Sequence, residues 1–238
     1  MKKQWILLVV LAVVVCSPVW PKVTLPAIIS DNMVLQQNTR VNIWGKAEPG
    51  EVITVQPSWA TEAMTAVASE DGKWIVKLKT PRATMKNQLI TVSGEDTVTV
   101  SNILIGEVWL CGGQSNMLFP VGKQEDVKWQ TGMEEADKEL QDANYPEIRL
   151  FTVPYCLAPD GEGKWLVCTA DHAYNFSAVG FVFDRRLFKE LHTPVGLILS
   201  AKGDTHVESW TKKEVMENNP LYADVFDEFG VENVKQNK

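Results

Sequence analysis

The sequence predicts a multidomain β plus α/β chain: an N-terminal β-sandwich followed by an α/β domain on a parallel sheet. Three observations predict it. Over residues 23–100 short apolar runs alternate with turn residues, and no helical period intervenes. Strands at that spacing build sandwiches. Residues 103–111 form an apolar run with one charge, Glu107, closed by Gly112 and Gly113. Such a run reads as a strand buried on both faces. Finally, an amphipathic stretch over 176–191 leads through Thr193 and Pro194 into another buried run, 195–200. Helix followed by buried strand is the βαβ pattern, which implies a right-handed parallel arrangement.

In chain order, residues 1–20 read as an export signal. Lys2 and Lys3 give the basic start and residues 5–15 the apolar stretch. That stretch is shorter than the ~20 residues a membrane span needs, so an exported chain, periplasmic or extracellular, with no stable membrane insertion is expected. The sandwich is placed at 22–101 and the α/β domain at 102–238.

Within the sandwich, strands are expected near 33–35, 41–44, 52–55, 64–68, 74–78, 89–92 and 98–100. The breakers are Pro49-Gly50, Pro57-Ser58, Asp71-Gly72, Pro81 and Gly94-Glu95. Asp71-Gly72 is a hairpin signal. Trp59 reads as exposed.

After Pro120 the chain turns polar, with a short exposed helix expected at 133–140 and a strand at 147–153. Residues 155–169 read as a loop or small hairpin anchored by Trp165. The helix at 176–191 has Asn175 as its expected N-cap and an apolar stripe of Phe176, Val179, Val182, Phe183, Leu187 and Leu191. The tail from 211 onward is charged, with a weak helical pattern at Val215, Leu221, Val225 and Phe226.

A net charge of −7 argues against nucleic acid or an anionic membrane as partner. Export permits disulfides. Cys156 and Cys168 flank a glycine-rich turn and read either as a pair or as two buried thiols, while Cys111 reads as a core residue. No cysteine spacing suggests zinc.

Gln114, Ser115 and Asn116 follow directly on the buried run of 103–111. Open α/β sheets place their chemistry at the carboxyl ends of their strands. Ser115 therefore has two readings: a helix cap, or a nucleophile displayed at a strand-to-helix turn.

The string V-W-L-C-G-G-Q-S-N-M at 108–117 resembles the nucleophile segment of the SGNH hydrolases, in particular the sialate O-acetylesterase family of carbohydrate esterases. Three further stretches carry the same resemblance. They are L-P-A-I-I-S-D-N-M-V-L-Q-Q with V-N-I-W-G-K-A-E-P-G (25–37 and 41–50), F-S-A-V-G-F-V-F with P-V-G-L-I (176–183 and 194–198), and G-D-T-H-V-E-S-W (203–210). The last corresponds to the family's G-G-T-x-x-E-x-W; Gly203, Thr205, Glu208 and Trp210 match, and Asp204 replaces the second glycine.

The resemblance implies a flavodoxin-like parallel-sheet α/β/α hydrolase domain, here incomplete. It implies Ser115 as catalytic nucleophile, with the backbone N–H groups of Ser115 and Gly203 as oxyanion donors. It implies no cofactor and no metal. The family's D-x-x-H and Q-G-E segments do not occur in the chain, so the sequence reads as the N-terminal portion of such an enzyme, with an unpaired sheet edge. Its histidines are His172, His192 and His206, of which His206 lies nearest the oxyanion loop. The implied activity is removal of O-acetyl groups from sialic acid. The alternatives are an acetylxylan or other glycan acetylesterase, and an inactive or sugar-binding remnant.

Overall fold

The structure, a computed structural model, describes residues 23–141, 143–154 and 163–222. The expected export signal, Cys156, Val225 and Phe226 lie outside the described residues.

Ten strands and five short-to-medium helices are described: β1 Val34–Gln36, β2 Arg40–Lys46, β3 Val52–Pro57, β4 Met64–Val67, β5 Lys73–Lys79, β6 Thr84–Ser93, β7 Thr97–Gly113, α1 Ser115–Leu118, α2 Ala136–Gln141, β8 Asn144–Thr152, β9 Trp165–Thr169, α3 Ala170–Tyr174, α4 Ala178–Leu191, β10 Val195–Ala201 and α5 Lys213–Glu217. Together they form a mixed sheet with α/β character. The larger sheet runs β4-β3-β6-β7-β10-β8-β9, with β1 added to β7, and a separate pair joins β2 and β5.

In β5, Trp74, Val76 and Leu78 point inward between exposed neighbours, the period-two pattern of a strand with one wet face. They share one core with Ile43 of β2 and with Ile53, Val55, Ile90, Val92, Val100 and Ile103 of the larger sheet. A second core lies between the parallel strands and the helices, around Cys111, Ile148, Leu150, Phe181, Leu197 and Leu199.

β7 belongs to both halves. Its first part pairs antiparallel with β6, and Glu107 to Gly113 pair parallel with Val195 to Ala201 of β10. The strand continues through residues 101 and 102 by way of a β-bulge, with Asn102 at φ +52. The changeover falls at Gly106, where a Cβ would run into the Pro194 carbonyl. That carbonyl accepts the Glu107 N–H at 2.9 Å, so glycine is what lets β10 come alongside. β8 and β10 are parallel neighbours, joined through β9, α3 and α4.

Several local expectations need correction. The Asp71-Gly72 turn forms, with Gly72 at φ +75, but the strands flanking it do not pair: β4 pairs with β3 and β5 with β2. The turn carries the chain from one layer to the other because the inward side chains of β5 face the large sheet. Trp59 is not a free surface ring; it packs on the first core and its Nε1 donates to the Lys79 carbonyl at 3.0 Å. The loop or small hairpin expected at 155–169 ends in a strand, β9, which pairs antiparallel with β8. Trp165 does anchor it, buried and donating from Nε1 to the Ile28 carbonyl at 2.8 Å.

The helix cap also differs. Asn175 ends α3, and Ser177 caps α4 by accepting the Gly180 N–H on its Oγ at 3.0 Å. The apolar stripe is largely on the wet side. Ala178, Gly180, Phe181 and Asp184 are the buried residues of α4, whereas Val179, Val182, Phe183 and Leu191 are exposed. Nor is β7 buried on both faces throughout: Trp109 and Leu110 are exposed, and Phe183 meets the Trp109 ring edge-on at 5.1 Å. Among the described residues no strand covers the other edge of Trp109 to Gly113. No helix among them is long and apolar enough to cross a membrane.

Candidate active site

The parallel register sets Ser200 beside Gly112 and Ala201 beside Gly113. The two strands therefore end level, and the turns that follow them leave the same end of the sheet. The Lys202 N–H donates to the Gly113 carbonyl at 2.9 Å and joins those turns. Gly113 has φ +141, a backbone open to glycine, which turns the chain out of the strand.

Ser115 opens α1, a single turn. Its N-cap is Gln114, and no side chain caps it. The Ser115 hydroxyl is thus not consumed in capping; its Oγ donates to Gln114 Oε1 at 3.2 Å. The side chain is half-buried at the sheet rim. The chain after it is clamped onto the start of α4. Ala178 N–H donates to the Phe119 carbonyl at 2.8 Å, Val121 N–H to the Phe176 carbonyl at 3.0 Å, and Pro120 pairs with Ser177.

Gly203 lies one residue past the Lys202–Gly113 bond. A Cβ there would meet nothing within 4 Å, so the space above it is open. Neither the Gly203 nor the Ser115 backbone N–H donates to a partner among the described residues. Asp204 follows in left-handed backbone, φ +59, and is exposed, as is Lys202. The loop is pinned from within. Thr205 Oγ1 donates to the Lys202 carbonyl at 2.8 Å, and Trp210 Nε1 donates to Thr205 Oγ1 at 2.9 Å. Between the two turns lies an open cavity of about 410 Å³ lined by Gly112, Gly113, Gln114, Thr205, Val207 and Trp210.

All three histidines are described, and none bonds Ser115. His206 is exposed at the start of a 3-10 turn, Val207–Trp210. His172 Nδ1 pairs with the Val167 carbonyl at 2.7 Å. His192 ends α4 in left-handed backbone, φ +49. The two described cysteines, Cys111 and Cys168, are not rival nucleophiles. Burial, reinforced by Asp184, pushes the Cys111 thiol up to about 11 and the free Cys168 thiol to about 12, so both stay protonated near neutral pH. Among the described residues no three His, Cys, Asp or Glu side chains gather as metal ligands.

Sequence reasoning missed two features. Gln114 is the hydrogen-bond partner of Ser115, a role its place beside the serine could have suggested. Asp184 is fully buried on α4 with neither carboxylate oxygen bonded, and burial raises its pKa well above the usual carboxylate range.

The chain is 31% identical to the sialate O-acetylesterase of Mus musculus over 211 residues, 79% of this chain. It is also 31% identical to the Homo sapiens sialate O-acetylesterase over 206 residues, 77% of this chain. This chain is a homologue of the sialate O-acetylesterases. It spans 37% of the mouse relative's length and 38% of the human one's. Among solved structures, a carbohydrate acetylesterase from Xanthomonas citri matches with a TM-score of 0.71 at 29% identity, over 83% of this chain and 44% of that one. No family profile matches the chain.

Proposed function

We propose that the chain is a serine-dependent carbohydrate esterase that removes O-acetyl groups from sialic acid, with Ser115 as nucleophile. The observation that supports it best is the Ser115 hydroxyl, left out of helix capping at the end of β7 and next to the turn that carries Gly203. The reaction follows from those parts. Ser115 Oγ attacks the acetyl carbonyl carbon and gives its proton to a base. The oxyanion is held by the backbone N–H groups of Ser115 and Gly203. The carbonyl re-forms, the sugar hydroxyl leaves with that proton, and water then releases acetate from the acyl-enzyme. Acetylxylan or another acetylated glycan suits the same chemistry.

In this reading the N-terminal layers, 22–101, are a β-sandwich and residues 102–238 belong to an SGNH-type hydrolase domain. The chain is exported under the signal at 1–20 and works in the periplasm or outside the cell. The base is a histidine that these contacts do not supply, since none of the three bonds Ser115. That observation favours a second reading, a sugar-binding remnant without turnover. Hydrolysis of p-nitrophenyl acetate by the wild-type chain and by Ser115→Ala separates the two. Turnover lost in the alanine variant supports the esterase, and equal rates in both support the remnant.

A further inference from the structure

Resting on that reading of the site, we infer that the cavity beside Gln114 is its sugar subsite, and that the Trp210 indole is the surface on which a pyranose ring stacks. Trp210 and Val207 are 45% and 67% exposed, and both line this cavity. The indole has one polar atom, Nε1, and it is already tied to Thr205 Oγ1, which is tied in turn to the Lys202 carbonyl. The ring is therefore fixed at its polar edge and offers an apolar, electron-rich face outward. Such a face attracts the weakly positive C–H groups on one side of a pyranose.

The volume fits the same occupant. About 410 Å³ lies within the range of pockets that hold whole small molecules, and an acetyl group alone would leave most of it empty. Polar groups stand at its other wall. Gln114 accepts the Ser115 hydroxyl on Oε1, and its Nε2 donates to nothing among the described residues, so a donor remains for a ring hydroxyl. A sugar seated on Trp210 against Gln114 would lie beside the residue that carries the attacking hydroxyl. The ligand class is thus a six-membered sugar ring bearing an acetyl ester, with Trp210 fixing which ring face is presented.

The test uses the full chain carrying Ser115→Ala, so that no ester is consumed. Binding of 9-O-acetyl-N-acetylneuraminic acid and of an O-acetylated methyl xyloside is followed by saturation-transfer NMR, with sodium acetate as the control without a ring. At least one sugar should bind saturably. Trp210→Leu, which keeps apolar bulk, should weaken it at least about tenfold, as loss of an aromatic anchor does, while Trp210→Phe stays within about threefold. Acetate should show no dependence on residue 210. Saturable sugar binding that is unchanged in Trp210→Leu, or no saturable binding of either sugar, overturns the inference. Labelling of Ser115 by a fluorophosphonate in the otherwise wild-type chain tests the nucleophile separately. A chain that labels but ignores Trp210 keeps the esterase and loses the subsite. One that binds through Trp210 but never labels keeps the subsite and loses the esterase.

Discussion

The Lys202 N–H donates to the Gly113 carbonyl across 2.9 Å, and this bond holds the loop carrying Gly203 against the strand end that presents Ser115. It is a backbone bond, so its role can be separated from the lysine charge. Lys202→Ala keeps the donor and should leave Ser115 reactivity toward a fluorophosphonate unchanged. Lys202→Pro removes the donor; it should cost about 1 kcal/mol of stability and slow labelling of Ser115. Labelling rates for the two variants, with urea midpoints alongside, check this.

Gly106 is where β7 passes from one set of partners to the other. Because a Cβ there would run into the Pro194 carbonyl, Gly106→Ala should force β10 away from β7 and destabilise the chain by about 1–3 kcal/mol. A denaturant midpoint equal to that of the wild type would show that the junction yields freely.

Asp184 should make stability fall with rising pH. Burial raises its folded-state pKa well above the ordinary carboxylate value. Above about pH 4 the unfolded chain releases this proton while the folded chain keeps it, so the unfolded state is favoured progressively. The loss is about 1.4 kcal/mol per pH unit until the folded pKa is reached. Asp184→Asn removes the titration. The stability difference between variant and wild type should therefore grow in the variant's favour from pH 5 to pH 7; a difference independent of pH would mean that Asp184 is ionised in the folded chain.

Trp109, with Val179, Val182 and Phe183 of α4, is exposed on one face of the uncovered part of β7, and Leu110, the next residue along the strand, is exposed on the other. Exposed apolar side chains beside an open strand edge promote association. Leu110→Lys, at a position 69% exposed, should change stability by no more than about 0.5 kcal/mol and lower concentration-dependent light scattering.

Much of this was legible in the residues, for identifiable reasons. Trp74, Val76 and Leu78 alternate with lysines and one isoleucine, and a period of two admits little but a strand with one buried face. The run before Gly112 is apolar and ends in two glycines, so the serine just after it had to fall at a strand end. The helix at 176–191 shows where such reading stops. Its most apolar stripe is largely exposed, at Val179, Val182, Phe183 and Leu191, while Ala178, Gly180, Phe181 and Asp184 are buried; at Gly180 a Cβ would come within 3.3 Å of Leu197, so that position takes no side chain. A buried unpaired carboxylate is invisible to any reading that expects charge on the outside. β9 was hidden because Trp165–Thr169 is a short β-rich run after glycines, whose pairing with β8 depends on contacts distant in sequence. At the site, the level ends of β7 and β10 come from strand register, which residue types alone do not encode.

The Ser115 hydroxyl is the proposed nucleophile of this site. The most direct measurement is fluorophosphonate labelling of the 238-residue chain, with and without added imidazole to stand in for a histidine base, followed by peptide mass spectrometry. An adduct on Ser115 that forms faster with imidazole and is absent in Ser115→Ala is the expected result. No adduct under either condition, or an adduct confined to another serine, would contradict it.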